Sequence, residues 1–313
     1  MAGGNGAEIV VAGGGMAGLS AGLFGARTGR RTTVLVGEQM GGHLVTIGTI
    51  EDYPGFPEGV PGYDLCPMLQ EQAENAGAEL VGGTLESLAR DDAGWVITSS
   101  EGELHAPVVI VATGSALRAL EVPGEERLFG KGVSDCATCD GPFHRGKTVA
   151  VAGSGDSALL EALELTNHVD KVLLFARGDH LEGQKTYAQR VSEHAAIDVR
   201  FDTSIQEIVG DDVVQAVRVR RGGAGETEEV AVSGVFVYVG IRPRTEFLGD
   251  LLKLDAEGRV PTDGQLHTEL EGLFVAGDIR SDSSNQAVAA AGDGATAAIA
   301  ADAYLSGEAW PRR

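Results

Sequence analysis

The 313-residue sequence contains little cysteine, little positive charge and no long hydrophobic run. Three cysteines are too few for a framework of structural disulfides, which argues against a disulfide-stapled secreted fold. Lys and Arg number 24 against 46 Asp and Glu, and the formal net charge of −22 disfavours nucleic acid and anionic membranes as partners. No apolar run reaches the roughly 20 residues that span a bilayer, and residues 1–6 lack the basic and apolar regions of a secretory signal. We therefore expect a cytoplasmic protein.

What the sequence does contain is one pattern twice. Residues 8–12 form a short apolar run, residues 13–18 (GGGMAG) form a glycine-rich turn, and residues 19–28 form a helix-like run. The pattern returns between residues 148 and 167 with the turn GSGDSA, and a second β-like run follows each copy. A strand, a glycine-rich turn and a helix predict a dinucleotide-binding βαβ unit, in which phosphates bind the N–H groups of the helix N-terminus.

The rest of the chain supplies more strands and a last helix. The Ala-rich segment 285–305 predicts a helix, and residues 281–284 (SDSS) can supply its N-cap. Three apolar runs predict further strands and two alternating stretches predict antiparallel β-meanders, namely residues 107–114, 234–240 and 272–278, and residues 90–103 and 213–232.

These elements predict an α/β fold with two Rossmann-like dinucleotide-binding domains of the three-layer ββα type, the second inserted in the first. The second glycine-rich turn begins a new sheet, so we place a domain boundary before it. The last third of the chain is expected to rejoin the first domain. The outer domain would comprise residues 1–117 and 246–313, and the inserted domain residues 118–245.

The sharpest chemical signal is the pair Cys136-Ala-Thr-Cys139 in the inserted domain. Cys-x-x-Cys near a βαβ unit is typical of a redox motif, and its spacing lets both sulfurs reach disulfide geometry. Half of a zinc site is an alternative, but the second half would have to come from Cys66 and scattered histidines such as His144. A purely structural disulfide is another alternative. Asp140 follows directly and could carry a proton to or from the thiol, or could cap a helix.

The position of the cysteine pair predicts a conformational change. Because the pair lies just before the second glycine-rich turn, the disulfide and a bound nicotinamide would belong to the same domain. Both would have to reach one flavin on the other domain at near-contact distance, roughly 3–3.5 Å. One rigid arrangement would struggle to serve both, and we infer a hinge rotation between two states.

Eight stretches occur in an order that is specific as a set. The chain resembles the low-molecular-weight thioredoxin reductases through them, over nearly all of its length. They are residues 13–18 (GGGMAG), 41–44 (GGHL), 51–55 (EDYPG), 112–114 (ATG), 136–141 (CATCDG), 153–158 (GSGDSA), 272–278 (GLFVAGD) and 286–292 (QAVAAAG).

The resemblance implies that FAD lies across the outer domain, with the start of the last helix against the isoalloxazine. A helix N-terminus there would stabilise negative charge on the reduced flavin. Glu38, about 20 residues beyond Gly18, could accept a hydrogen bond from the FAD ribose or could simply be solvated. The expected FAD-binding residues are Gly13, Gly15, Met16, Ala17, Gly18, Glu38, Gly42, His43, Leu44, Asp52, Ala112, Thr113, Gly114, Gly277, Asp278, Asn285, Gln286 and Ala287.

The same resemblance implies the catalytic roles and the partners. Cys139 would face the flavin, Cys136 would exchange with the disulfide of thioredoxin or a thioredoxin-like protein, and Asp140 would be the general acid. The family forms homodimers, so we expect one here. His43, Asp52 and Asn285 stand where the family usually has Gln, Asn and Arg.

The nicotinamide site departs further from the family. The expected NADPH-binding residues are Gly153, Gly155, Asp156, Ser157 and Arg177. The family usually has His-Arg-Arg after the second strand of this domain and another Arg a few residues later. Residues 175–185 (FARGDHLEGQK) match only one Arg position, with Arg177, while Gly178 replaces an Arg and Asp179 and Glu182 are added acids. The NADPH 2′-phosphate needs cationic partners.

Three possibilities for the electron donor therefore stay open. Arg177 and Lys185 could suffice for NADPH, NADH could be the donor with Asp179 touching its ribose, or nicotinamide use could be lost. The last case would make the protein a ferredoxin-linked reductase, or a dithiol oxidase that forms disulfides in a small molecule and reduces oxygen. A flavin-binding module without turnover is the remaining class, against which the intact cysteine pair argues.

Overall fold

The computed structural model of the protein describes residues 6–223, 225 and 227–311. The chain divides into two compact units, which we call the outer unit (residues 1–116 and 242–313) and the inserted unit (residues 117–241). Residues 1–5, on which the signal-peptide prediction rests, lie outside the described residues.

Strands and helices are numbered in chain order over the part of the chain that the structure describes. The strands are β1 (Ile9–Ala12), β2 (Thr32–Leu35), β3 (Glu79–Val81), β4 (Leu85–Asp91), β5 (Gly94–Ser99), β6 (Gly102–Ala106), β7 (Val108–Val111), β8 (Ser115–Leu117), β9 (Val133–Ser134), β10 (Thr148–Ala152), β11 (Lys171–Phe175), β12 (Ile197–Arg200), β13 (Thr203–Val209), β14 (Ala216–Arg221), β15 (Thr227–Ala231), β16 (Val235–Val237), β17 (Ile241–Pro243) and β18 (Leu273–Val275). The helices are α1 (Met16–Arg27), α2 (Gly62–Asn75), α3 (Glu125–Leu128), α4 (Ala137–Asp140), α5 (Asp156–Leu165), α6 (Lys185–Glu193) and α7 (Ala287–Leu305), with 3₁₀ turns at Gly42–Thr46, Gly141–His144 and Glu246–Leu248.

The outer unit is built on a five-stranded parallel sheet in the order β18-β7-β1-β2-β3. Its strands β1 and β7 are apolar at every position because both faces of the sheet are covered. On one face Val11 packs with Ala297 of α7, and on the other face Val10 packs with Trp95 of the antiparallel sheet β4-β5-β6. Successive side chains of a strand thus enter different cores.

Close contact between α1 and α7 depends on small residues. A Cβ atom at Gly294 of α7 would overlap the carbonyl oxygen of Ala17 in α1. The Ala-rich face of α7 lets its backbone approach α1, and Ala297, Ala298 and Ala301 are buried there. The predicted last helix therefore packs on the first glycine-rich turn and its helix.

The inserted unit repeats the three layers. Its parallel sheet runs in the order β12-β11-β10-β16-β9. Val151 of β10 packs with Leu159 of α5 on one face, and Ala150 packs with Val217 of the antiparallel sheet β13-β14-β15 on the other. The predicted α/β fold with two Rossmann-like domains is confirmed.

Several local predictions were wrong or incomplete. The N-cap position of α7 is Gln286, not a residue of the segment 281–284, because Ser283 donates its hydroxyl to Asp278 instead. The second meander begins earlier than predicted, at Thr203. Helix α2 was not predicted, and it contains a proline, Pro67, that interrupts the helical sequence pattern. Within the described residues, no helix combines the length and apolar character needed to cross a membrane.

Candidate active site

Cys136 and Cys139 form a disulfide with a Cα–Cα distance of 5.3 Å. The pair lies at the start of α4, two residues after β9 ends, and therefore at the carboxyl edge of the inserted unit's parallel sheet. Cys136 is 8% exposed, whereas Cys139 is exposed. The two sulfurs of the disulfide thus differ in their access to solvent.

Backbone and hydroxyl groups hold Cys136 at the N-cap of α4. Its N–H donates to the Ser134 hydroxyl at 3.0 Å, and the Cys139 N–H donates to the Cys136 sulfur at 3.2 Å. The Asp140 N–H donates to the Cys136 carbonyl at 3.1 Å. Asp140 thus follows the disulfide on the same helical turn and is partly buried.

A buried carboxylate supports the same turn from below. Glu161 of α5 accepts the Ala137 N–H at 2.9 Å and the Tyr238 hydroxyl at 3.1 Å, both through Oε2. Burial raises the pKa of Glu161 to about 7, against the opposing effect of its two hydrogen bonds. Burial also raises the pKa of the Tyr238 hydroxyl. The sequence analysis missed both residues, since neither belongs to a motif.

In the glycine-rich turn of the inserted unit, one glycine is required by the packing of the chain and another is not. Gly153 has a φ of +144°, and a Cβ atom there would overlap the Tyr238 carbonyl oxygen. Ala158 is completely buried under the turn. Gly155 has an ordinary φ of −87°, and a Cβ atom there would meet no described atom within 4 Å. Packing within the chain therefore does not explain why Gly155 is a glycine.

The other predicted nicotinamide residues lie at the same sheet edge. Asp156 and Ser157 open α5, and Arg177 follows β11. The Asp156 carboxylate accepts the Gln184 N–H at 2.6 Å, which ties the loop before α6 to the glycine-rich turn. Arg177 is exposed and takes part in no ion pair among the described residues.

Two further groups in this loop bear on a phosphate site. His180 is exposed and pairs with Asp179 at 2.7 Å, and this hydrogen bond raises the pKa of His180. Lys185 begins α6 and, in the part of the chain that is described, has no ion-pair partner. The loop thus presents Arg177 and Lys185 as uncommitted cations.

In the outer unit most of the predicted FAD residues gather at one edge of the sheet. Four loops leave the carboxyl ends of β1, β2, β7 and β18, which lie at the same edge because these strands are parallel. They carry Gly13, Gly15, Met16, Ala17 and Gly18, then Glu38, then Ala112, Thr113 and Gly114, then Gly277 and Asp278.

The contacts between these loops follow from their glycines. A Cβ atom at Gly13, where φ is +126°, would overlap the Ala112 carbonyl, and one at Gly18 would overlap the Gly13 carbonyl. A Cβ atom at Gly277 would come within 3.0 Å of the Ala17 Cβ. By contrast, a Cβ atom at Gly15, where φ is −82°, would meet no described atom within 4 Å. Gly15 therefore matches Gly155 in having open space before it.

The second predicted FAD loop contacts the first. The Gly41 N–H donates to the Gly14 carbonyl at 2.9 Å, which places the 3₁₀ turn with Gly42, His43 and Leu44 beside the glycine-rich turn. Asp52 is exposed and follows the bridge between Ile50 and Val60, and these two residues share a small core with Met16. Cys66 is also in this core, and its burial raises the pKa of the thiol to about 11.

Asp278 is the central carboxylate of the outer unit's site. It accepts the hydroxyls of Ser115 and Ser283, each at 3.3 Å, while its burial raises its pKa. The adjacent Gly277 N–H donates to Asp293 of α7 at 3.0 Å. Asp278 is thereby held between β18 and the start of α7.

The segment that leads into α7 is held by a residue that the sequence analysis missed. Arg259 donates to the Asn285 side-chain oxygen at 3.2 Å and to the Ser283 carbonyl at 3.3 Å. Asn285 has a φ of +54°, a left-handed conformation that Asn tolerates. Gln286 and Ala287 then begin the helix. The Asn285 N–H donates to the Ser283 hydroxyl, which donates to Asp278, so Ser283 links Asn285 to Asp278.

The chain is similar to known proteins over most of its length. The family described as pyridine nucleotide-disulphide oxidoreductase matches residues 7–294. The chain is 37% identical to a thioredoxin reductase of Treponema pallidum, over 95% of this chain and 97% of that protein. It is also 37% identical to NADPH-dependent thioredoxin reductase 3 of Arabidopsis thaliana, over 96% of this chain and 58% of that protein. A crystal structure of thioredoxin reductase from Lactococcus lactis is similar with a TM-score of 0.93 and 36% identity, covering 96% of this chain and 99% of that chain.

Proposed function

The chain belongs to the pyridine nucleotide-disulphide oxidoreductases and, within them, to the thioredoxin reductases, and from this premise we propose how it works. It passes two electrons from NADPH through FAD to the Cys136–Cys139 disulfide, and from the resulting dithiol to the disulfide of thioredoxin or a thioredoxin-like protein. The observation that carries the proposal is the disulfide itself, which lies at the same sheet edge as a nucleotide-type glycine-rich turn.

The outer unit has residues that fit FAD. Gly15 leaves open the space that a dinucleotide pyrophosphate requires in front of a helix N-terminus. Asp278 offers a partly buried carboxylate, and α7 begins beside it. FAD supplies a two-electron carrier between nicotinamide and disulfide, and the N-terminal N–H groups of α7 would favour negative charge on it.

The inserted unit has residues that fit NADPH. Gly155 leaves the corresponding space open above the N-terminus of α5. Arg177 and Lys185 supply positive charge for the 2′-phosphate without having to leave another ion pair. A relative with 37% identity is named as NADPH-dependent, which supports the same donor here.

The residues of the redox turn, which we define as residues 136–140, take distinct roles in the proposal. Reduction of the disulfide consumes two electrons and two protons and yields two thiols, with Cys139 facing the flavin and Asp140 delivering a proton to the departing sulfur. The Cys136 thiolate then attacks the partner's disulfide, a mixed disulfide forms, and Cys139 resolves it by re-forming the Cys136–Cys139 bond. Because Cys136 is 8% exposed in the disulfide form, α4 has to expose this sulfur after reduction.

A hinge between the two units is part of the proposal. The disulfide and the nicotinamide site both belong to the inserted unit, so each has to reach the flavin of the outer unit in turn. An engineered crosslink between the units would then block turnover. Full turnover of the crosslinked protein would refute the hinge. We further propose that the protein is cytoplasmic and forms a homodimer, and light scattering of the purified protein would test the dimer.

The function is tested by anaerobic titration of the purified flavoprotein with NADPH, NADH and a dithiol in separate cuvettes. We expect NADPH at micromolar concentration to bleach the flavin and, with thioredoxin present, to be consumed continuously. Cys136→Ser and Cys139→Ser should still allow bleaching by NADPH but should abolish thioredoxin reduction.

Each other result of this titration identifies a different function. Bleaching by NADH but not by NADPH would show that NADH is the electron donor. Bleaching only by the dithiol, with peroxide formed in air, would identify a dithiol oxidase. Absence of bleaching by all three, with bleaching by reduced ferredoxin, would identify a ferredoxin-linked reductase.

A further inference from the structure

Glu161 is a buried acid whose position the proposed electron path does not by itself require. It is 6% exposed in the middle of α5, between the buried apolar residues Leu159, Ala162 and Leu165. Among the described residues it pairs with no Lys, Arg or His. Burial of a carboxylate without a cation lowers folding stability, and an apolar side chain at this position of the helix would avoid that loss.

Glu161 contacts the redox turn through a hydrogen bond. Its Oε2 atom accepts the N–H of Ala137, the residue joined to Cys136, at 2.9 Å. The same atom accepts the hydroxyl of Tyr238 at 3.1 Å, and the Tyr238 N–H donates to the Ala152 carbonyl at the end of β10. The carboxylate therefore fixes the first residue of α4 to the central strands of the inserted unit.

This contact also changes the electrostatics at Cys136. A thiolate at a helix N-terminus is normally stabilised by the first N–H groups of the helix. Here the Cys139 N–H points at the Cys136 sulfur, but the Ala137 N–H is used by Glu161. Because the Glu161 carboxylate accepts the N–H of the residue bonded to Cys136, its negative charge would oppose a second negative charge on the Cys136 sulfur.

We propose that Glu161 is a positioning residue for the cysteine pair, which holds the start of α4 in place and, when ionised, opposes formation of the Cys136 thiolate. The proposal rests on the proposed function, since it requires the pair to cycle between disulfide and dithiol. Protonation of Glu161 relieves the opposition, so reactivity of Cys136 is linked to the charge of this buried acid. The other titratable groups that act on Glu161 are Asp135 before α4, Glu164 on α5 and Tyr238 after β16.

The test measures the reactivity of the reduced cysteines directly. The holoprotein is reduced with dithiothreitol, freed of it anaerobically, and treated with iodoacetamide from pH 5.5 to 9.5, with mass spectrometry separating Cys136 from Cys139 and Cys66. Glu161→Gln is the informative variant, because one amide oxygen can accept both hydrogen bonds that Oε2 accepts now while the charge is lost. Glu164→Gln removes the same charge from a partly exposed position of the same helix.

We expect Glu161→Gln to raise the alkylation rate of Cys136 at pH 7.5 by roughly tenfold, the factor that one unit of thiol pKa represents. The Glu164→Gln control should change it less than about threefold, since charges at exposed positions are screened. An unchanged or slower rate in Glu161→Gln would overturn the proposal.

The wild-type protein provides a second measurement that does not depend on a variant folding. Its rate profile for Cys136 should show an inflection near pH 7 in addition to that of the thiol, because burial raises the pKa of Glu161 to about 7. A profile that follows one titration would contradict the linkage. Alkylation requires no nicotinamide and no thioredoxin, so failure of the proposed function would appear as lost turnover with this profile intact.

Discussion

Replacement of Gly155 by Ala tests whether a nicotinamide dinucleotide binds the inserted unit. A Cβ atom at this position meets no described atom within 4 Å, and the φ of −87° is ordinary for Ala. The folded protein should therefore tolerate the change, with stability altered by less than about 1 kcal/mol. A pyrophosphate that approaches this backbone would instead be pushed away by the added methyl group.

The expected effect on binding can be worked out from the hydrogen bonds at risk. Displacement of the pyrophosphate from one N–H of the α5 N-terminus loses a charge-assisted hydrogen bond worth about 1.5–3 kcal/mol. This corresponds to a roughly 10- to 100-fold increase in the Kd of NADPH. The Kd is measured by stopped-flow titration of flavin bleaching, and thermal unfolding is recorded on the same samples.

Two further glycines serve as controls for Gly155→Ala. Gly264→Ala adds a methyl group in open space in the other unit and should leave both NADPH affinity and stability unchanged. Gly153→Ala should lower stability by more than about 1–3 kcal/mol, because φ is +144° and the Cβ atom would overlap the Tyr238 carbonyl. An unaltered Kd of NADPH in a folded Gly155→Ala protein would refute the assignment of this turn.

Three further predictions follow from the outer unit and from the redox turn. Gly15→Ala should give a folded protein that loses flavin absorbance on dilution, and a Gly15→Ala protein with full flavin content would contradict this. Gly18→Ala should instead be unstable, because its Cβ atom would overlap the Gly13 carbonyl. Asp140→Asn should slow reduction of the disulfide by the flavin by roughly 100-fold or more, as loss of a general acid does, and an unchanged rate in rapid-reaction measurements would remove this role. In the wild type, the pKa of Glu161 is raised from 4.5 to about 7, so the folded state binds more protons than the unfolded state and loses about 3 kcal/mol of stability as pH rises from 4.5 to 7. Glu161→Gln should remove this loss. If the curves of unfolding free energy against pH were parallel for variant and wild type, this prediction would be wrong.

The sequence predicted the architecture because its signals are local. Each strand, glycine-rich turn and helix of a βαβ unit is continuous in the chain, and the turns at Gly13 and Gly153 demand a backbone that only glycine adopts easily. The order of the motifs predicted the family, and the matches to the family and to thioredoxin reductases confirmed it. The boundaries of α7 were close for the same reason, but its N-cap was wrong because Ser283 turns to Asp278.

The support of the redox turn was decided by tertiary structure. Cys136 and Cys139 are three residues apart, so their spacing alone indicates a disulfide. Glu161 lies 24 residues after Ala137, and Tyr238 lies 77 residues after Glu161, so no local sequence pattern joins these three residues. Only the parallel sheet brings the ends of β9, β10 and β16 to one edge, and the packing of α5 against it places a carboxylate under the cysteines.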